Sequence, residues 1–126
     1  MHRSEQEQKI EMMFVSLRTD YAQALPKKIR ELEIVVQRAK KQPEDKVFLQ
    51  YAYMHLHRMK GTVGSYGFSR LSELIAEIEL TLQKLESCTV NTNKLLDARR
   101  AVDSLLDSQF SEAKEIANAL AVGAPI

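Results

Sequence analysis

The sequence predicts an all-α protein, an antiparallel up-and-down four-helix bundle with an additional N-terminal helix. Three observations lead there. Apolar residues recur at intervals of three and four along most of the 126 residues, the period of helices with one buried face. Good helix formers fill the long stretches, and only four Gly and three Pro interrupt them, chiefly where the periodicity breaks. The breaks are short, and short connections favour antiparallel neighbours.

The first helix is expected over residues 5–23, where Ile10, Met13, Phe14, Leu17 and Tyr21 form one apolar stripe. Pro26 is best tolerated in a first turn, so a second helix is expected over 26–40, lined by Ile29, Leu32, Val35, Val36 and Ala39. One long helix kinked at Pro26 is the alternative. Gln42-Pro43-Glu44-Asp45 forms a break, after which a third helix runs to about Thr62. Gly61, Gly64 and Gly67 cluster near its end. A fourth helix starts at Phe68 or Ser69, with Leu71, Leu74, Ile75, Ile78, Leu82 and Leu85 facing inward. Cys88 to Thr92 reads as a polar linker. A fifth helix uses Leu95, Leu96, Val102, Leu105, Leu106, Ile116 and Leu120 and ends near Gly123. The whole chain, 1–126, is expected to be one domain, with a mobile start over 1–8 and a tail over 121–126.

Composition excludes several classes. The net charge of +1 offers no basic field for a nucleic acid backbone. Residues 1–60 hold 12 Lys/Arg against 8 Asp/Glu and residues 61–126 hold 6 against 9, an asymmetry that a solvated helix face explains. The single cysteine, Cys88, can form no intrachain disulfide. The start, MHRSEQEQKIE, lacks the apolar core of a signal peptide, and no apolar run approaches the roughly 20 residues that span a bilayer. The expectation is a soluble, cytoplasmic, monomeric protein with no membrane insertion.

Histidine placement carries the chemistry. With about 100° per residue and His57 as zero, Phe48, Met59, Ala52 and Val63 fall between about 180° and 240° and define a buried side. His57 lies opposite, with Gln50, Tyr53, Lys60, Gly61 and Gly64 on its own side. His55 falls near 160°, on the buried flank. The two rings therefore diverge, and a shared metal ion would need i, i+4 spacing, so no metal site is expected. His2 lies in the polar start.

Glycine inside a helix costs about 1 kcal/mol relative to Ala, and Gly61 stands one turn after His57 on the same face. An exposed histidine needs no glycine beside it, whereas another protein's backbone approaching closely does. Lys60 can reach the same patch and offset the charge of a phosphoryl group as a mobile point charge. Arg58 contributes only to the general field. A model imidazole titrates near pH 6.5, which leaves much of it an uncharged nucleophile at neutral pH. A carboxylate holding the other ring nitrogen would favour attack. Glu77 and Glu79 are both candidates by spacing.

The run His57-Arg58-Met59-Lys60-Gly61-Thr62-Val63-Gly64-Ser65-Tyr66-Gly67-Phe68 resembles the signature of histidine phosphotransfer domains, H-x-[LIM]-K-G followed by small residues, an aromatic or aliphatic residue and Gly. It is most similar to the phosphotransfer domains of chemotaxis and hybrid histidine kinases. Ile78-Glu79 occupies the place of that family's apolar-Glu pair, which implies that Glu79, not Glu77, bonds the ring nitrogen that carries no phosphate. The resemblance implies a phosphocarrier without a kinase core, passing a phosphoryl group through His57 in a two-component His–Asp phosphorelay. Its implied partners are a sensor histidine kinase and a response-regulator receiver domain, which supplies the aspartate and Mg²⁺. No cofactor of its own is expected. Gly61 and Gly64 would leave space for the receiver's loops. Helix geometry adds Gln50, Tyr53 and Met54 to the docking surface, and Arg58 is counted with that surface for its contribution to the field. Rival readings are a phosphoacceptor domain cut from a chemotaxis-type kinase, a non-phosphorylated helical adaptor and a helical metal-binding protein.

Overall fold

A computed structural model describes residues 4–87 and 92–123, and these are all-helical: α1 (Glu5–Lys41), α2 (Lys46–Ser65), α3 (Ser69–Ser87) and α4 (Thr92–Ala121). Helix α1 packs on α2 and α4, α3 packs on the same two, and α1 and α3 touch only slightly. Leu25, Ile29, Leu32 and Val36 of α1 meet Leu49 and Leu56 of α2, six α3 residues from Leu71 to Leu85, and Leu106, Phe110 and Ala113 of α4 in one core.

The two expected N-terminal helices are one. Pro26 lies inside α1, where it withholds an N–H from the Ala22 carbonyl and costs about 3 kcal/mol. Burial outweighs that cost. Leu25, Ile29, Leu32 and Val36, all at most 2% exposed, continue one stripe through the proline, and each contributes about 1.5–3 kcal/mol.

The stripe expected to be buried before Pro26 is not. Every residue from 4 to 20 is exposed, and Tyr21 is the first to become partly covered. Ile10, Met13, Phe14 and Leu17 stand between 48% and 66% exposed, so the start of α1 projects past the core. It is nonetheless ordered from Ser4, whose Oγ accepts the Glu7 N–H at 3.2 Å as an N-cap. Residues 5–8, part of the start expected to be mobile, belong to α1. Residues 1–3 and 124–126 lie outside the described residues, as does most of the expected linker. Thr92, placed in that linker, opens α4.

Helix α2 begins at Asp45, whose carboxylate accepts the Phe48 N–H at 3.2 Å. It ends in a Schellman motif: Phe68 N–H reaches Val63 O at 2.9 Å and Gly67 N–H reaches Gly64 O at 3.0 Å. Gly67 takes φ +82° there, a conformation that favours glycine. Phe68 and Val63, both buried, supply the apolar contact that accompanies the motif.

The buried side of α2 is rotated from the expected one. Leu49 and Leu56 are at most 2% exposed and join Ala52 and Val63, while Phe48 is only half-buried. The core thus centres near 250° from His57 rather than opposite it. In α4, Leu105 is 42% exposed, and Phe110, Ala113 and Ala117 fill the interior instead. No helix among the described residues is long and apolar enough to cross a membrane.

Candidate functional site

His57 is exposed on α2, and among the described residues its ring makes no hydrogen bond or ion pair. Rotation of the core towards Leu49 and Leu56 leaves it between two strips of unlike character. On one side Gln50, Met54, Arg58 and Gly61 are all exposed, as expected of a docking surface. On the other, Tyr53 and Lys60 are half-buried and turned towards α3.

The half-buried side is a polar seam with a period of seven. Lys46 and Tyr53 both reach Glu86, at 3.5 Å and 3.1 Å, and Lys60 Nζ lies 3.6 Å from Glu79 Oε2. Ser72 Oγ donates to the Lys60 carbonyl at 3.0 Å. Positions 46, 53 and 60 of α2 thus face 72, 79 and 86 of α3, the spacing by which packed helices repeat their contacts. Tyr53, expected at the docking surface, is mainly a seam residue. Burial, the hydrogen bond to Glu86 and the charges of Glu86 and Glu79 push its phenol well above the ordinary value of 10. Glu79, expected against the His57 ring, is engaged by Lys60. Glu77 is turned to Arg70, at 3.5 Å.

The glycines separate. A Cβ on Gly61 would meet nothing within 4 Å, whereas one on Gly64 would stand 3.2 Å from Ser72 Oγ. Gly64 thus has a reason within the molecule, the close approach of α3. Gly61 has none.

Beside His57 runs an open groove of about 550 Å³ between α1 and α2. Phe14 and Leu17 of α1 form one wall, and Arg58, Gly61, Thr62 and Ser65 of α2 with its C-cap Tyr66 the other. Thr62 and Ser65 turn their hydroxyls back to the carbonyls of Arg58 and Gly61, at 3.0 Å and 2.8 Å. Tyr66 closes the end, its ring 5.0 Å from Tyr21 and 5.7 Å from Phe14. Arg18 reinforces that closure through the Tyr66 carbonyl and the Phe68 ring, 4.4 Å away. Phe14, Leu17 and Tyr66 were not among the expected site residues. The spacing of Phe14 and Leu17 is that of a core stripe, and only the projection of α1 beyond the core shows otherwise, while Tyr66 enters the sequence reading only as the aromatic residue of the signature.

His55 is half-buried and packs edge-on against Tyr51, with ring centroids 4.5 Å apart. Among the described residues no group of three His, Cys, Asp or Glu is placed to hold a metal ion. No family model matches the chain, and no solved structure matches it.

Proposed function

We propose that this chain is a histidine phosphotransfer domain, a phosphocarrier in a two-component His–Asp phosphorelay, with His57 as the residue that carries the phosphoryl group. The observation that carries the reading is the pairing of His57 with Gly61. An exposed imidazole without internal partners stands one turn from a helical glycine that has open space where its Cβ would be. The glycine weakens its own helix and nothing among the described residues requires it, so an approaching partner is its physical explanation.

In the proposed step a ring nitrogen of neutral His57 forms an N–P bond as the P–O bond of an aspartyl phosphate breaks. The electron pair leaves with the aspartate carboxylate, and the other ring nitrogen keeps its proton. The chain supplies a nucleophile on a rigid helix, and the receiver domain supplies Mg²⁺ and its acidic pocket. The receiver docks over Gln50, Met54, Arg58 and Gly61 and sets an apolar edge into the groove against Phe14, Leu17 and Tyr66. The protein acts as a cytoplasmic monomer, takes its phosphate from a sensor histidine kinase and has no kinase activity of its own. Its helices form an antiparallel up-and-down four-helix bundle. Two seams support that arrangement. Glu33 and Lys40 of α1 pair with Lys114 and Asp103 of α4, and Tyr53 and Lys60 of α2 with Glu86 and Glu79 of α3. Residue numbers rise on one helix as they fall on the other.

The test is incubation with a receiver domain charged by labelled acetyl phosphate. Acid-labile, alkali-stable label is expected on the wild type and none on His57→Gln, with the melting temperature unchanged because the side chain is exposed. Label retained by His57→Gln would overturn the assignment.

A further inference from the structure

Two residues of the α2–α3 seam neighbour His57, Tyr53 four residues before it and Lys60 three after it, and of the two only Lys60, paired with Glu79, carries a positive charge. Side chains at those spacings are neighbours on a helix surface. The lysine ammonium sits on a flexible four-carbon stem and can reach either way. Both partners are partly covered, with side chains 33% and 20% exposed, so salt screens them less than it screens a surface pair.

We infer that Glu79 is a positioning residue for phosphotransfer that acts through Lys60. It holds the ammonium at the seam while His57 is unmodified and yields it to the phosphoryl group once His57 is charged. The inference rests on the proposed role of His57.

The reasoning is one of competition. A phosphoryl group carries close to two negative charges and three acceptor oxygens, against one charge on Glu79. Lys60 therefore turns towards the phosphate. The Glu79 carboxylate stays at the half-buried seam and loses its lysine partner, which is unfavourable. That loss makes the charged form of the domain less stable than it would be with an uncommitted lysine. The phosphate is accordingly easier to hand on. The Ser72 bond to the Lys60 carbonyl ties the backbone of α2 to α3, so only the lysine side chain has to move.

The experiment charges His57 directly with phosphoramidate. The donor's P–N bond breaks and ammonia leaves as the imidazole–phosphorus bond forms, so no partner protein is needed. The half-life of the phosphohistidine and its transfer rate to an Mg²⁺-loaded receiver domain are measured in the wild type, Glu79→Gln, Lys60→Met and the double variant. Glu79→Gln should lengthen the half-life and slow the transfer by roughly threefold to tenfold, in the lower part of the range of couplings between residues in contact. In the Lys60→Met background the same change should have no effect. Glu86→Gln, one rung further along the seam, should leave both rates as in the wild type, which a general weakening of the seam would not. Label on His57 with equal rates in wild type and Glu79→Gln overturns this inference alone. So does an undiminished Glu79→Gln effect without Lys60. Absence of label on His57 in every variant overturns the phosphocarrier reading and this inference with it.

Discussion

Arg18 of α1 donates its Nε hydrogen to the carbonyl oxygen of Tyr66 across 2.7 Å, joining the projecting part of one helix to the end of the helix that bears His57. The same guanidinium lies over the Phe68 ring. One side chain thus caps a helix C-terminus, complements its dipole and covers an aromatic face. Arg18→Met should lower stability by about 1 kcal/mol and speed amide exchange over residues 5–17. Arg18→Lys should recover only part of this, since an ammonium lacks the planar fork. Thermal melts and exchange profiles check both. Unchanged exchange in Arg18→Met would show that α1 is held by other contacts.

The glycines near His57 should respond differently to alanine. Gly61→Ala should stabilise the protein by about 0.5–1 kcal/mol, because the new methyl meets nothing, while phosphotransfer to a receiver slows. Gly64→Ala should gain less, because Ser72 Oγ stands 3.2 Å from the new Cβ. Ser72→Ala by itself loses the bond to the Lys60 carbonyl, but in that background Gly64→Ala should gain as much as Gly61→Ala does. Chemical denaturation of the four variants gives the comparison, and a Gly61→Ala protein that is more stable and transfers at full rate would remove the glycine from the docking surface.

Alkaline pH should act through Tyr53. Its phenol titrates above its ordinary value of 10, first through burial, then through the hydrogen bond to Glu86 and the charges of Glu86 and Glu79. The unfolded chain loses this proton near pH 10 while the folded chain keeps it to higher pH. The stability it contributes is therefore complete below pH 10 and is lost as pH rises through the folded value. Denaturation at stepped pH should show stability falling above about pH 10, with a shallower fall in Tyr53→Phe. Phenolate absorbance in the native protein should show Tyr21, raised by burial and by Tyr66, ionising late as well.

Gln109 is 8% exposed, and among the described residues its Oε1 has no hydrogen-bond partner. A buried acceptor left unpaired costs about 1–3 kcal/mol. Gln109→Met removes the amide at similar length and should raise stability by about 1–2 kcal/mol, read as an upward shift of the melting temperature. A downward shift would mean that the amide's other atoms hold the core together.

Much of the architecture was readable from the chain. The stripe from Leu71 to Leu85 is buried at every position read as core, and Asp45 and Gly67 mark the limits of α2 as capping chemistry requires. The stripe from Ile10 to Leu17 has the same periodicity and the opposite fate, because a period shows which face is apolar and not whether a partner reaches it. Pro26 misled for a related reason: local preference favours a break, and burial of Leu25 and Ile29 on either side overrides it. At the site, His57, Gln50, Met54 and Gly61 are exposed, as their places on the helical wheel lead one to expect. The partners of Lys60, Tyr53 and Gly64 depend on where α3 lies around α2, which the period of α2 alone does not contain. The seven-residue spacing of Lys46, Tyr53 and Lys60 against Ser72, Glu79 and Glu86 was the available signal.

Helix α1 runs unbroken for 37 residues, about 55 Å at 1.5 Å per residue, and so sets phase as well as length. Phe14 and Leu17 face the groove because they are locked in rotation to Leu25 and Ile29, which the core holds. One residue added between these two sets would leave the core as it is and turn the groove wall by about 100°. Two residues would turn it by about 200°. The wall beside His57 is therefore indexed to the core like a key to its shaft, and the count of residues between Leu17 and Leu25 specifies the shape that a partner meets.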